Sequence, residues 1–270
     1  MSLQFIMGNS GSGKSYCLYD TVVREAIENP DKNYLVIVPE QFTMQTQKDL
    51  CLAHPKGGIM NIDVLSFGRL AYRVFEEVGQ DARVVLDDEG KNLVLRKIAG
   101  ECEKDLKVFK GNLKKQGYIS EVKSVLSEFA QYGVDFERLD DFMKEVPPES
   151  YLHYKLDDIR TIYEKFEEYL SEKYITKEEM LDVLSDAVPY SDILKGSVVA
   201  MDGFTGFTPV QNRLIGELFS VCEKVMITVT MDGRENPYVY EHPYQIFALG
   251  KQMVTSLMKI AGEKKTEIEE

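Results

Sequence analysis

The residue types best suited to chemistry lie near the start of the chain, in FIMGNSGSGKSYCLYD: Gly8, four residues, then Gly13, Lys14 and Ser15. That spacing is the phosphate-loop pattern G-x-x-x-x-G-K-[ST]. Glycines let backbone N–H groups turn inward around phosphate oxygens without Cβ clashes, at a helix N-terminus whose dipole favours negative charge. On this reading Gly8, Asn9, Ser10, Gly11, Ser12, Gly13, Lys14 and Ser15 cradle a nucleotide. Lys14 reaches the β- and γ-phosphates, and the Ser15 hydroxyl ligates a Mg²⁺ that bridges them. ATP and Mg²⁺ are the expected cofactors. The bland alternative is a Gly/Ser turn joining a strand to a helix. Asp202, which closes the apolar run SVVAMDGF, is the second candidate. In a phosphate-loop fold it is a Mg²⁺ residue; otherwise it caps a turn, a common role for Asp before Gly.

Other constellations are missing. His54, His153 and His242 are isolated, and Cys17, Cys51, Cys102 and Cys222 form no C-x-x-C pair, so neither a zinc site nor a disulfide framework is suggested. The acidic pairs Asp87–Asp88 and Asp140–Asp141 read as helix-start residues, not as a nuclease metal site.

The phosphate loop needs a strand before it and a helix after it, and both are legible. Leu3 to Met7 is apolar, and Leu18, Val22, Val23 and Ala26 recur at helical spacing. Tyr34 to Val38, stopped by Pro39, reads as a buried second strand, and Ile62 to Phe67 as a third. Ser66 is a plausible N-cap for the helix carrying Leu70, Ala71, Val74 and Phe75. From about 87 to 186 amphipathic helical texture replaces strand signals, as in Ile119, Val122, Val125, Leu126 and Phe129. Strands return at Ser197–Phe204 and Lys224–Gly233, with a helix over Pro209–Cys222 between them. Alternating strands and helices imply an α/β fold with a parallel sheet flanked by helices. The expected domains are therefore a discontinuous core, 1–86 with 187–270, and an all-helical insertion, 87–186, between the third and fourth strands.

Composition narrows the class. The 270 residues are 44% hydrophobic and 29% charged, with no run near the roughly 20 apolar residues of a membrane span. No export signal is evident, so a soluble, cytoplasmic protein without membrane contact is expected. A net charge of −13 argues against coating nucleic acid by bulk charge, so any such contact is local.

A phosphate-loop sheet interrupted by a helical insertion resembles the first, RecA-like motor domain of UvrD-like superfamily-one helicases. MGNSGSGKS, VPEQFT, VLSFGRLAYRVF and MDGFTGFTPVQ resemble more narrowly the N-terminal portion of the AddB chains of bacterial AddAB helicase–nucleases, across essentially the whole chain. The resemblance implies a fragment of a longer DNA double-strand-break repair protein, with an AddA-like helicase subunit and DNA as partners and the nuclease domain beyond residue 270. Helicases of this kind end the strand after the insertion in Asp-Glu, the glutamate polarising water, and keep a glutamine nine residues after the aspartate. Here Asp202 and Gln211 match, while Gly203 replaces the glutamate. Gln211 is thereby assigned to the nucleotide. With only seven residues ahead of Gly8 there is no upstream glutamine motif to grip adenine, and no second motor domain supplies an arginine finger. Hydrolysis by this piece alone is expected to be weak or absent.

Loops at the carboxyl ends of parallel strands form the working face of such sheets. Gln41 and Thr43 of VPEQFT, with Ser66 and Arg69 of SFGRL, are candidate DNA contacts, Arg69 foremost; the alternative for Thr43 is simply to open a helix. Arg73 is a further candidate, and Lys104, Lys107, Lys110, Lys114 and Lys115 around Phe109 form either a basic patch for single strands or a solvated helix face. The competing reading of the chain is a free-standing phosphate-loop kinase or NTPase whose helical insertion is a substrate lid.

Overall fold

The computed structural model describes residues 1–79, 83–113, 115–171 and 173–269. They form two compact units, Met1–Gln80 with Leu181–Glu270, and Asp81–Met180.

The first unit is built on β1 (Ser2–Gly8), α1 (Lys14–Glu28), β2 (Tyr34–Ile37), a single 3-10 turn (Glu40–Phe42), α2 (Thr43–Ala53), β3 (Ile62–Leu65) and α3 (Phe67–Val78). The second contains β4 (Val84–Leu86), α4 (Asp88–Glu101), α5 (Gln116–Tyr132), α6 (Phe136–Glu145), α7 (Tyr151–Leu170) and β5 (Tyr174–Thr176). The chain then runs through α8 (Glu179–Ala187), β6 (Val198–Met201), α9 (Pro209–Val221), β7 (Lys224–Thr230), α10 (Ala248–Lys264) and β8 (Glu267–Glu269).

Six strands make one sheet in the order β3-β2-β6-β7-β1-β8, and every ladder in it is parallel. β2 and β6 are buried at every position, as continuous apolar runs should be when both sheet faces are covered. One face carries Tyr34, Val36, Val198, Ala200 and Met226 against Leu18, Val22, Val23 and Ala26 of α1 and Leu50 of α2. The alternate residues Leu35, Ile37, Val199, Met201, Val225 and Ile227 point to the other face and are equally buried. Because the strands are parallel, the segments following β1, β2, β3 and β6 all leave from one edge of the sheet.

The helical unit has its own core, with Leu95, Ile98, Ile119, Val122, Ile159, Ile162 and Phe166 packed together from α4, α5 and α7. It is not all-helical: β4 and β5 pair as a two-stranded parallel ribbon, Val84–Leu86 beside Tyr174–Thr176. Three-residue strands are too short to set up a readable alternation, which is why the insertion reads as helix alone. Two buried polar groups organise this unit. Asp158, only 1% exposed, accepts from the backbone amides of Lys107, Val108 and Phe109 at 2.7–2.8 Å. Lys91 donates to Glu178 at 2.6 Å and to Ser127 at 3.2 Å.

Helix starts follow capping chemistry. Ser66, Asp87, Asp135, Ser150 and Thr208 each accept from the amide three residues on. Asp87 thus plays its expected role, whereas Asp140 and Asp141 lie inside α6, where Asp140 pairs with Arg160 and Asp141 with Lys144.

Candidate functional site

β1 ends at Gly8 and α1 begins at Lys14, so the loop Asn9–Gly13 joins a strand end directly to a helix N-terminus. Gly11 and Gly13 have φ of 76° and 88°, conformations that side chains other than glycine's resist. A Cβ on Gly8 would collide with the Ser12 hydroxyl. The Ser12 amide donates to the Asn9 carbonyl at 3.1 Å, and Lys14 Nζ folds over the loop to the same oxygen at 2.8 Å. Gly13 provides no side-chain cap and the first turn of α1 carries no acidic residue. The helix therefore presents an electropositive end, reinforced by Lys14, to a solvent-exposed loop.

Asp202 follows β6 on the same edge. Met201 and Phe5 both pair with Ile227 of β7, so Asp202 is level with Thr228 and with Ile6, two residues short of Gly8. With strands about 5 Å apart, β6 lies about 10 Å from the strand that carries the loop. The carboxylate is 8% exposed and held by two hydroxyls: Thr228 Oγ1 donates to Oδ1 at 2.6 Å and Tyr19 Oη to Oδ2 at 2.7 Å. Burial, above all, with the adjacent Asp202, pushes the Tyr19 hydroxyl above its ordinary pKa range, so it is a neutral donor. Neither partner is signalled by sequence spacing, since Tyr19 lies 183 residues from Asp202 and Thr228 26 residues away.

The position after Asp202 does not suit a second carboxylate. Gly203 has φ 79°, and a Cβ there would sit 3.5 Å from Pro39 and 3.7 Å from the Phe42 ring. Beyond it Phe204 and Phe207 pack with Phe67, ring centroids 5.1–6.4 Å apart, anchoring the loop before α9. Gln211 is engaged locally: its Oε1 accepts from the Thr208 amide while Thr208 Oγ1 accepts from the Gln211 amide, a reciprocal capping box.

The candidate DNA-facing residues divide. Gln41 is exposed in the turn after β2, beside Phe42, which is 47% exposed, and Arg69 is exposed on α3. Thr43 is buried with its hydroxyl on the Glu40 carbonyl, opening α2, and Ser66 is a buried N-cap bonded to the Arg69 amide. Both hydroxyls serve local backbone, not the surface. Arg73 pairs with Asp63 at 3.0 Å. In the helical unit Lys107 pairs with Asp157 and Lys115 donates to Asn112; Lys114 lies outside the described residues. Among the described residues no group of three or more His, Cys, Asp or Glu is arranged to hold a metal, and no helix is long and apolar enough to cross a membrane.

Comparison with known proteins gives a consistent result. A family model described as "ADDB, N-terminal" matches residues 5–270. Three similar proteins each carry the name of one subunit of an ATP-dependent helicase/deoxyribonuclease, the same subunit in every case. That of Lachnoclostridium phytofermentans is 46% identical over 99% of this chain and 23% of its own length. That of Clostridium tetani is 37% identical over 86% of the chain and 20% of its own length. That of Clostridium acetobutylicum is 33% identical over the whole chain and 23% of its own length. The chain thus spans less than a quarter of the length of these relatives.

Proposed function

Because the chain belongs to the AddB N-terminal family, we propose that it is the ATP·Mg²⁺-binding, phosphate-loop part of a helicase–nuclease subunit that acts in DNA double-strand-break repair. The observation that carries this reading is the loop itself: Gly11 and Gly13 in the left-handed conformation that favours glycine, with Gly8 packed under the Ser12 side chain, ending at an uncapped helix start beside Lys14. Backbone amides at Gly11–Ser15 and the Lys14 ammonium bind the phosphates, Lys14 leaving the Asn9 carbonyl to do so. Ser15 and Asp202 are the residues that would hold the Mg²⁺, which would supply charge neutralisation to the bound phosphates.

The same site is poor at hydrolysis. No group follows Asp202 to polarise a water, and Gly203's backbone leaves no ready place for one. We therefore read the nucleotide as a bound ligand with little turnover. Gln211 takes part in the capping box that opens α9 in the segment after Asp202, with its Oε1 on the Thr208 amide. DNA runs across the carboxyl edge, with Gln41, Phe42 and Arg69 as its exposed contacts, and an AddA-like helicase in the cytoplasm supplies translocation.

Titration of the chain with a fluorescent ATP analogue and Mg²⁺ tests the reading. Saturable binding that Lys14→Ala weakens by about 100-fold, the scale of a lost charge-assisted contact to phosphate, is expected. Absence of binding, or binding indifferent to Lys14→Ala, would refute it. The free-standing NTPase alternative would show instead rapid turnover that DNA does not alter.

A further inference from the structure

We infer that Tyr19 is a positioning residue for the metal that accompanies the nucleotide, holding Asp202 in place and tying it to α2; this rests on the nucleotide-binding reading above. The Asp202 carboxylate takes one hydroxyl on each oxygen, Thr228 on Oδ1 and Tyr19 on Oδ2. Each carboxylate oxygen has two lone-pair positions, and these two bonds use one on each. The two donors come from different elements, β7 and α1, so the carboxylate swings only by breaking a charge-assisted hydrogen bond.

Tyr19 is five residues past Lys14 on the helix that begins at the phosphate loop. One helix therefore carries both the phosphate-binding end and the hydroxyl that orients the carboxylate. Tyr19 Oη also lies 3.3 Å from Thr46 Oγ1, a buried group of α2. Asp202, Tyr19 and Thr46 thus form a line of linked groups ending in the helix that follows Gln41 and Phe42. Gly203 also lies beside Pro39 and Phe42, since a Cβ there would be in ordinary contact with both, so the end of β6 adjoins the turn after β2.

Tyr19→Phe removes the hydroxyl and keeps the ring. Calorimetric titration of the whole chain with ATP, once in Mg²⁺ and once in EDTA, separates metal positioning from general structure. In Tyr19→Phe, affinity in Mg²⁺ should fall by about tenfold, the scale of one hydrogen bond to a charged group, while affinity in EDTA stays within about twofold. Thr228→Val should shift the same ratio in the same direction, and thermal unfolding of each variant reports folding independently. Equal loss in both media would make Tyr19 a structural residue and overturn the inference, as would no loss in either. Wild-type chain that binds ATP equally in Mg²⁺ and EDTA overturns it while leaving phosphate binding intact; wild-type chain that binds in neither medium removes the nucleotide reading and this inference together.

Discussion

Gly203 is the residue on which the proposed lack of turnover rests. Placing Glu there asks an L-residue to hold φ 79° against Pro39 and Phe42, a cost of about 1–2 kcal/mol for the left-handed conformation. Gly203→Glu should therefore lower the thermal midpoint and leave phosphate release at background, measured with and without single-stranded DNA; brisk release would show that the backbone relaxes and that the missing carboxylate alone was limiting. The strand and helix that flank Lys14 and Ser15 were legible because Leu3–Met7 forms an apolar run and Leu18, Val22, Val23 and Ala26 recur at helical spacing. Asp202 was legible as the polar end of an apolar strand, but its two hydroxyl partners arrive through tertiary folding from 183 and 26 residues away. Thr43, Ser66 and Gln211 show the opposite case: residue types suited to binding are used here to start helices.

At the scale of elements, the helical unit depends on two carboxylates. Asp158 of α7 takes the amides of Lys107, Val108 and Phe109, so Asp158→Ala leaves three donors without an acceptor and should destabilise by about 3 kcal/mol or more. Hydrogen exchange should speed up first around residues 105–113; unchanged protection there would contradict the assignment. Glu167 is pushed up to about 7 by burial, with Glu179 adding to it. The folded chain holds that proton where the unfolded chain, near 4.5, has released it, so stability is full below about pH 4.5 and declines as pH rises through about 7. Glu167→Gln should flatten that decline in a series of thermal melts, and an identical slope in the variant would rule it out. Helix starts were readable from Ser66 and Asp87, and the buried strands from runs such as Tyr34–Ile37. The strands β4, β5 and β8 were not, since three residues each give no period and their pairing is decided by distant neighbours.

For the molecule as a whole, the parallel sheet collects the loop Asn9–Gly13, Asp202, Gln41 and Arg69 at its carboxyl edge, and that convergence follows from topology once the strand order β3-β2-β6-β7-β1-β8 is set. The sequence implied alternation of strands and helices but not this order, which long-range contacts determine. With a net charge of −13, the proposed DNA contact would be local, so log affinity for single strands should fall with log salt at a slope of only about −1 to −2. A slope several times steeper would point to a broad basic surface instead. Nucleotide binding with little turnover is tested most directly by recovery of the bound nucleotide. The chain would be incubated with radiolabelled ATP and Mg²⁺, isolated by rapid gel filtration and its nucleotide resolved by chromatography. Intact ATP retained by the wild-type chain and absent from Lys14→Ala is the expected result. ADP in place of ATP, or no retained nucleotide, would contradict it.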